Sequence, residues 1–211
     1  MKILFFGDSI TDMRRDREAL ASTCFSYGVG YPLLVTSELS KINPLKHKVI
    51  NKGISGNRVV DLYARIKADV WNFQPDLISI LIGVNDVWHE ISHKNGVELD
   101  RFEKVYSAVI EDTKKTLPNV KMVLLEPFVL KGTATEEKYD EFLMVKEYAK
   151  VVKKLAKKYG LYFIPLQEKF DKMSEQYGAE IFLYDGVHPD VAGATLISNA
   201  WLEFFRKEIE I

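Results

Sequence analysis

The amino-acid sequence predicts a three-layer α/β fold with a parallel sheet, formed by one domain over residues 1–211. Short apolar runs alternate with longer amphipathic segments along the whole chain. The short runs are apolar throughout, which is typical of parallel strands that are buried on both faces. No linker rich in Ser, Gly or Pro interrupts this order. Alternating strands and helices predict β-α-β units with right-handed crossovers in a single domain.

Five segments are predicted as strands, because each is almost entirely apolar and is closed by Gly, Pro, Asn or a charged residue. They are Lys2–Phe6, Lys48–Asn51, Leu77–Ile82, Val120–Glu126 and Leu161–Ile164. The order of these strands in the sheet does not follow from the sequence.

Six segments are predicted as helices, because their apolar residues recur every three or four positions. They are Tyr31–Ile42, Val59–Val70, Asp100–Leu117, Glu136–Tyr159, Pro165–Gln176 and Val191–Lys207. The last helix is rich in Trp and Phe, which suits either the protein core or a subunit interface. A homo-oligomer therefore stays open.

The composition is that of an ordinary globular protein, with 47% hydrophobic and 28% charged residues. The 29 Lys and Arg residues balance 30 Asp and Glu residues, so there is no basic footprint for a nucleic acid or an anionic membrane surface. Cys24 is the only cysteine, which excludes an intramolecular disulfide and suits a reducing compartment. No apolar run has the length of a membrane span or of a signal-peptide core. We expect a cytoplasmic protein without a membrane segment.

Polar residues follow the first three predicted strands, at the edge where an open parallel sheet carries its chemistry. Ser9 comes directly after the first strand. The second strand leads into a glycine-containing segment, 51–57, in which backbone N–H groups can face a ligand. Asn85 follows the third strand. Each feature also has a simpler interpretation, as a helix N-cap or a turn.

Asp185 lies three residues before His188, on a loop that contains Gly and Pro. Such a carboxylate can hold Nδ1–H of the imidazole while Nε2 faces outward as a base. The simpler alternative is a capping aspartate beside a surface histidine. Taken together, the four loops offer a nucleophile, oxyanion donors, a base and a group that orients the base, which are the components of an acyl-transfer site.

These four blocks, Gly-Asp-Ser, Gly-x-Ser-Gly, Gly-x-Asn-Asp and Asp-x-x-His, resemble those of the SGNH hydrolases, also called GDSL esterases/lipases. The resemblance extends from Gly7 to His188, with Ile10 where leucine is usual. It implies a flavodoxin-like α/β/α sandwich with a five-stranded parallel sheet. It also implies the catalytic residues, which are Ser9 as nucleophile, His188 as base and Asp185 as its orienting group. The implied oxyanion donors are the backbone N–H groups of Ser9 and Gly56 and the side chain of Asn85.

The segments 51–57 and 82–88 look most like those of bacterial carbohydrate acetylesterases, including acetylxylan esterases. This predicts a serine esterase that removes short acyl groups, above all acetyl, from carbohydrates or similar alcohols. No cofactor is expected, and the predicted partner is a small-molecule or oligosaccharide ester. One alternative is a lysophospholipase or thioesterase of the same family that acts on longer acyl chains. Another is a non-catalytic binding protein. The presence of Ser9, Asp185 and His188 together argues against this alternative.

Residues 89–93 match the zinc-binding pattern His-Glu-x-x-His, which needs a sustained helix and a third ligand. We expect no metal here, because the motif starts close to the loop of Asn85 and Lys94–Gly96 ends any helix. Trp88 is either a half-buried anchor of this loop or a wall that contacts substrate.

The charged segment Asp12–Gly30 is predicted to be irregular and suits a flap that shapes the substrate site. Its residues Arg14, Arg15 and Arg17 could meet an anionic substrate, although solvated charges are the simpler interpretation. Cys24, in the same segment, is expected to be structural.

Overall fold

Five parallel strands form the central sheet of the computed structural model, which describes residues 1–209 except for the side chain of Ile42. Their order is β2-β1-β3-β4-β5, the flavodoxin-like arrangement. The strands are β1 (Lys2–Gly7), β2 (Lys48–Gly53), β3 (Leu77–Leu81), β4 (Lys121–Leu125) and β5 (Tyr162–Ile164). All five predicted strands are confirmed, with ends that shift by two residues or fewer.

The α-helices of the described chain flank this sheet. They are α1 (Ser9–Asp12), α2 (Tyr31–Ile42), α3 (Val59–Asp69), α4 (Val84–His93), α5 (Leu99–Thr116), α6 (Tyr139–Phe142), α7 (Val145–Tyr159), α8 (Gln167–Tyr177) and α9 (Val191–Glu208). Short 3₁₀ turns occur at Cys24–Tyr27, Trp71–Phe73 and Glu136–Lys138.

Neighbouring residues of β1 show how the two helical layers arise. Successive side chains of a strand point to opposite faces of the sheet. Phe5 packs against Tyr31 of α2 and Trp201 of α9, with ring centroids 5.3 Å apart in both pairs. Phe6 lies under the guanidinium of Arg65 in α3. The sheet is therefore covered on both faces, as the three-layer prediction requires.

The aromatic residues of α9 belong to the core. Trp201 and Phe205 are fully buried and stack with centroids 5.0 Å apart. The indole N–H of Trp201 donates to the hydroxyl of Ser79 in β3 (3.1 Å). These aromatic side chains are therefore part of the core, which is one of the two alternatives that the sequence left open.

The predicted helix Glu136–Tyr159 is wrong as a single element. It is divided into a 3₁₀ turn, α6 and α7, with i→i−3 hydrogen bonds from Met144 and Lys146 at the break. The break allows Phe142 to pack against Trp88 while α7 packs on β4. Tertiary packing thus overrides the helical periodicity of the sequence.

Helix α4 was also not expected, because polar residues dominate its start. Gly83, at φ +137°, allows the chain to turn sharply out of β3. Val84, Val87, Trp88 and Ile91 then form an apolar stripe on one face of the helix. This stripe is the sequence signal that the polar residues obscured.

Candidate active site

Ser9 lies at the carboxyl end of β1, where the strand passes into α1. The Asp8 carboxylate caps α1 by accepting the backbone N–H of Ile10 (2.9 Å). A Cβ on Gly7 would lie 2.4 Å from the carbonyl oxygen of Leu81 and 2.5 Å from Oγ1 of Thr11. Only glycine fits between these two atoms. Gly7 therefore lets the end of β1 pack closely enough to hold the Ser9 hydroxyl in place.

Ser9, His188 and Asp185 form one chain of hydrogen-bonding contacts. Oγ of Ser9 lies 2.8 Å from Nε2 of His188, and Nδ1 of His188 lies 2.6 Å from Oδ2 of Asp185. Oδ1 of Asp185 accepts the backbone N–H groups of Val187 (2.9 Å) and His188 (2.7 Å). The structure therefore brings together the three residues that the sequence placed at opposite ends of the chain.

The environment of Asp185 favours its ionised form. Burial by itself would raise the pKa of Asp185, but the hydrogen bonds from the His188 ring and from two backbone N–H groups outweigh it and lower the pKa. An ionised Asp185 accepts Nδ1–H of the imidazole. Nε2 is then the acceptor that faces the Ser9 hydroxyl, which is the arrangement a general base requires.

The loop of Asp185 and His188 rests on the segment 126–138 that follows β4. The N–H of Leu130 donates to the carbonyl of Gly186 (2.9 Å), and the N–H of Ala134 donates to the carbonyl of Asp185 (2.9 Å). The buried hydroxyl of Thr135 donates to the carbonyl of Leu130 (2.8 Å). A Cβ on Gly132 would lie 2.4 Å from the backbone nitrogen of Gly186. Two backbones thus meet in close contact directly beneath the aspartate.

The predicted oxyanion donors lie on the adjacent loops. The N–H of Ile54 donates to the carbonyl of Gly7 (3.0 Å), which holds the segment 53–57 beside the end of β1. Gly56 has φ +81° and open space where a Cβ would stand. Asn85 lies in the first turn of α4 and is 5% exposed, and its Nδ2 donates to the carbonyl of Asn57 (3.1 Å). One contact therefore joins the loops of Gly56 and Asn85.

Two further carboxyl groups, those of Asp8 and Asp86, are fully buried near these donors. Burial raises the pKa of Asp8 to about 7 and that of Asp86 to about 8, where the proximity of Asp8 adds to the effect. Oδ1 of Asp86 accepts the backbone N–H of Val59 (3.0 Å). Within residues 1–209, Oδ2 of each aspartate has no hydrogen-bond partner. At neutral pH, Asp86 therefore favours the protonated form, and Asp8 is divided between the protonated and the ionised form.

A cleft of about 850 Å³ opens over Ser9 and His188. Its floor includes Met13 and Arg14, which hold the left-handed φ values +37° and +60°. Strained residues of this kind cluster at functional sites. The other lining residues are mainly polar or charged: Asp12, Arg15, Asp16, Arg17, Val29, Ser55, Tyr184, Pro189 and Asp190.

Two arginines of the segment Asp12–Gly30 have hydrogen-bond partners in the fold, of which Arg15 is partly buried and Arg17 is exposed. Nε of Arg15 donates to the carbonyl of Gly53 (2.8 Å), and Arg17 donates to the buried carboxylate of Asp12 (2.5 Å). Arg14 is exposed and has no ion pair within the described chain. Cys24 is exposed too, which contradicts a structural role for its thiol.

Two aromatic side chains flank the imidazole of His188. Trp88 lies with its ring centroid 5.8 Å from that of His188, packs on Phe142 and lines a separate cavity of about 300 Å³. Trp88 is thus a half-buried anchor of its loop, as one of the two interpretations expected, and it also lies beside the imidazole of His188. Tyr184 stacks against the same ring, with centroids 5.8 Å apart and 16° between the planes. Sequence reasoning missed Tyr184, although its place directly before Asp185 was a usable signal.

The His-Glu-x-x-His residues lie on α4, so the helical context that we expected to be missing is present. The rings of His89 and His93 lie 5.9 Å apart on this helix. Among residues 1–209, no group of three or more His, Cys, Asp or Glu side chains is arranged to hold a metal ion. A third ligand for the motif is therefore not found in the described part of the chain. Within the same residues, no helix combines the length and the apolar character needed to cross a bilayer.

A parallel α/β sheet that carries a serine, a histidine and an aspartate in contact at its carboxyl edge defines a class of ester hydrolases. Residues 5–196 match the model of the GDSL-like Lipase/Acylhydrolase family. The chain is also 34% identical over 206 residues to an acetylxylan esterase from Geobacillus stearothermophilus, covering 95% of this chain and 92% of that protein. The chain belongs to the GDSL-like lipase/acylhydrolase family and is a carboxylic ester hydrolase.

Solved structures agree with this assignment. A protein from Parabacteroides merdae described as a GDSL-like lipase matches with a TM-score of 0.90 and 40% identity, over 96% of this chain and 94% of its own. The Geobacillus acetylxylan esterase Axe2 matches with a TM-score of 0.86 and 35% identity, over 96% and 92%. Catalytic mutants of Axe2 in which a serine, an aspartate or a histidine is replaced by alanine share the fold. The predicted resemblance to bacterial carbohydrate acetylesterases is confirmed.

Proposed function

We propose that this hydrolase is a serine esterase that removes acetyl and other short acyl groups from carbohydrates through an acyl-enzyme. The observation that carries the proposal is the continuous contact from Asp185 through His188 to Oγ of Ser9, which opens into the cleft. A serine hydroxyl is a weak nucleophile until an adjacent base takes its proton. His188 lies at the distance that this transfer requires.

In the first half of the reaction, Ser9 attacks the ester carbonyl while His188 accepts the hydroxyl proton. Asp185 stabilises the imidazolium that forms. His188 then returns the proton to the leaving alcohol, and the acyl group stays on Ser9. In the second half, water attacks the acyl-enzyme with His188 again as base, which releases the acid and restores Ser9.

Each half passes through a tetrahedral intermediate with a negative oxygen. In the proposed mechanism, the backbone N–H groups of Ser9 and Gly56 and the side chain of Asn85 donate to that oxygen. The positive φ of Gly56 and the attachment of Asn85 to the adjacent Asn57 carbonyl support this assignment. Fixed donors of this kind stabilise charge that develops only after attack.

The lining of the cleft supports a sugar ester with a short acyl group. Its charged and hydroxyl-bearing side chains suit the hydroxyl groups of a carbohydrate, and the ring of Tyr184 offers an aromatic face beside His188. A long acyl chain would favour a continuous apolar wall. One relative of this chain, Axe2, is named both as an acetylxylan esterase and as an acetyl-xylooligosaccharide esterase.

A series of p-nitrophenyl esters from acetyl to dodecanoyl tests the acyl preference, and acetylated xylan oligomers test the alcohol. We expect kcat/KM to fall sharply beyond a few carbons and acetate to be released from the oligomers. Faster turnover of octanoyl or longer esters than of acetyl would place the enzyme with the lysophospholipases or thioesterases instead.

Replacement of the nucleophile tests the mechanism. Ser9→Ala should lose several powers of ten in kcat and all labelling by a fluorophosphonate, since the hydroxyl is the attacking atom. A variant that keeps more than about a tenth of the wild-type kcat would exclude the acyl-enzyme. A cytoplasmic location and a homo-oligomer remain predictions that subcellular fractionation and light scattering can check.

A further inference from the structure

Arg65 is a nearly buried arginine on α3 that the mechanism above does not use. Its side chain is 15% exposed, and its guanidinium lies 4.4 Å from the ring centroid of Phe6. The group donates to the carbonyls of Gly7 (3.0 Å) and Lys52 (2.8 Å). These carbonyls belong to the last two residues of β1 and β2, the strands that lead into Ser9 and into the loop of Gly56.

The same guanidinium also reaches the loop itself. Its Nε donates to Oδ1 of Asn57 (2.7 Å), and the carbonyl of Asn57 accepts Nδ2 of Asn85 (3.1 Å). Nη1, which also donates to the Lys52 carbonyl, donates to Oδ2 of Asp69 (2.9 Å). Arg65 thus bonds directly to the ends of two strands, and it is linked through one residue to the amide of Asn85.

A planar guanidinium is suited to this place, because it presents five donors in a rigid fork. Without it, the strand-end carbonyls would each lose a partner in a site with little access to water. A lysine could keep the positive charge but would act as a point donor on a flexible stem. The arrangement therefore depends on the shape of the group as well as on its charge.

We propose that Arg65 is a positioning residue of the oxyanion hole, which it holds by fixing the end of β1 against the loop 53–57. The proposal rests on the function proposed above. Oxyanion donors act only in the transition state, so a loosened hole lowers kcat and leaves KM nearly unchanged.

The experiment compares Arg65→Met, Arg65→Lys and the control Arg58→Met by steady-state kinetics on p-nitrophenyl acetate. Arg58 is a matched control because it belongs to the same helix, as the N-cap residue of α3. Its side chain is similarly buried, at 17% exposed, and it also forms an ion pair, with Asp61. It donates to the carbonyl of Asn95 and touches neither strand end. We expect Arg65→Met to lose about 10²-fold in kcat with KM within about threefold, because small misplacements of catalytic groups cost about this much.

Two readouts separate positioning from a general structural role. Arg65→Lys should recover only part of the lost kcat, and free guanidinium chloride at low concentration should restore activity to Arg65→Ala. Arg58→Met should lose stability, measured by urea unfolding, with kcat near that of the wild type. Asn57→Ala removes the hydrogen bond between Nε of Arg65 and the loop 53–57. It should also lower kcat, which tests the proposal even if the Arg65 variants fail to fold.

The outcomes distinguish this proposal from the proposed function. A wild-type enzyme without Ser9-dependent ester hydrolysis would overturn the function itself. An active wild type in which Arg65→Met keeps its kcat, or changes KM alone, would overturn the positioning role. Equal losses of kcat in Arg65→Met and Arg58→Met would also overturn it, since they would show a general effect of α3.

Discussion

The two sides of the active site are held in different ways. On the oxyanion side, buried polar side chains join the ends of β1, β2 and β3, as in the contacts of Arg65 and Asn85. On the acid–base side, the loop of Asp185 and His188 is held by backbone contacts with the segment 126–138 and by the close approach of two glycines.

This difference teaches where each side is sensitive. A site held by side chains fails when donors are removed, whereas a site held by packed backbones fails when atoms are added. The proposed chemistry differs as well, because in that mechanism one side stabilises an oxygen anion and the other moves a proton. Substitutions on the two sides should therefore give separable kinetic signatures, and the predictions below follow from that expectation.

Among the substitutions that compare the two sides, the largest effect is expected for Asp185→Asn on the acid–base side. The substitution removes the charge that stabilises the imidazolium and favours the wrong tautomer, which in the serine-protease triad costs roughly 10⁴-fold in kcat. The acidic limb of the residual kcat/KM profile should move to lower pH. As a control, Asp76→Asn removes a carboxylate that accepts the N–H of Lys2 at the opposite edge of the sheet, and it should leave both quantities unchanged. An unaltered profile in Asp185→Asn would reduce Asp185 to a capping residue.

A smaller loss with a different signature is expected for Asn85→Ala on the oxyanion side. Removing one preorganised donor costs about 10²–10³-fold in kcat. KM should change little, because the oxyanion exists only after attack. The acidic limb should stay where it is in the wild type, unlike that of Asp185→Asn. A pure KM effect would make Asn85 a substrate-binding residue, and a shifted limb would show that the two sides are coupled.

Adding one methyl group should test the backbone contact of the acid–base side. In Gly132→Ala, the new Cβ would lie 2.4 Å from the nitrogen of Gly186, so the loop of Asp185 must move. A displacement of about 1 Å can cost about 10²-fold in rate. Gly160→Ala is the control, because Gly160 ends α7 at φ +64° with open space around it. It should lower stability by about 1 kcal/mol without changing kcat. Equal kcat in both variants would refute a tight contact.

The sequence contained the parts of the site that lie next to the strand ends. Ser9, Asn85 and the segment 51–57 each follow an apolar run directly, so the topology of a parallel sheet brings them to one edge. Asp185 and His188 were predictable because they lie three positions apart on one loop. Predictions of this kind depend on local spacing and on the sheet alone.

The supporting residues could not be found in the same way. Arg65 bonds to a carbonyl 58 positions away, and Gly132 contacts a loop more than 50 positions later. Such contacts depend on how loops pack after the sheet has formed. The break between α6 and α7 could not be predicted for a related reason. Phe142 follows the helical period of the sequence, but its side chain packs on Trp88 of α4.

The smallest effect on activity is expected for Asp86→Asn, which tests whether the buried carboxyls of the oxyanion side are neutral. Oδ1 of Asp86 accepts the N–H of Val59, and Oδ2 has no partner within residues 1–209. An asparagine keeps the accepting oxygen and places an NH₂ group where the protonated carboxyl has its OH. We therefore expect kcat to stay within about threefold of the wild type. This is a far smaller change than the roughly 10²-fold loss typical of a missing oxyanion donor.

The pH dependence of stability gives the sharper measurement. Burial raises the pKa of Asp86 from 3.8 to about 8 in the folded protein, so the unfolded chain loses this proton at lower pH than the native state. The contribution of protonated Asp86 to the free energy of unfolding is fully present below pH about 4 and is lost as the pH rises towards about 8. The reason is that the native state keeps the proton throughout this window, whereas the unfolded chain has released it. Asp86→Asn cannot ionise, so its free energy of unfolding, measured in urea between pH 4 and pH 8, should fall less steeply than that of the wild type. The remaining slope belongs in part to Asp8, whose pKa burial raises to about 7. Parallel curves for the two proteins would mean that Asp86 is ionised in the native state, and the oxyanion side would then hold a buried negative charge that opposes its own chemistry.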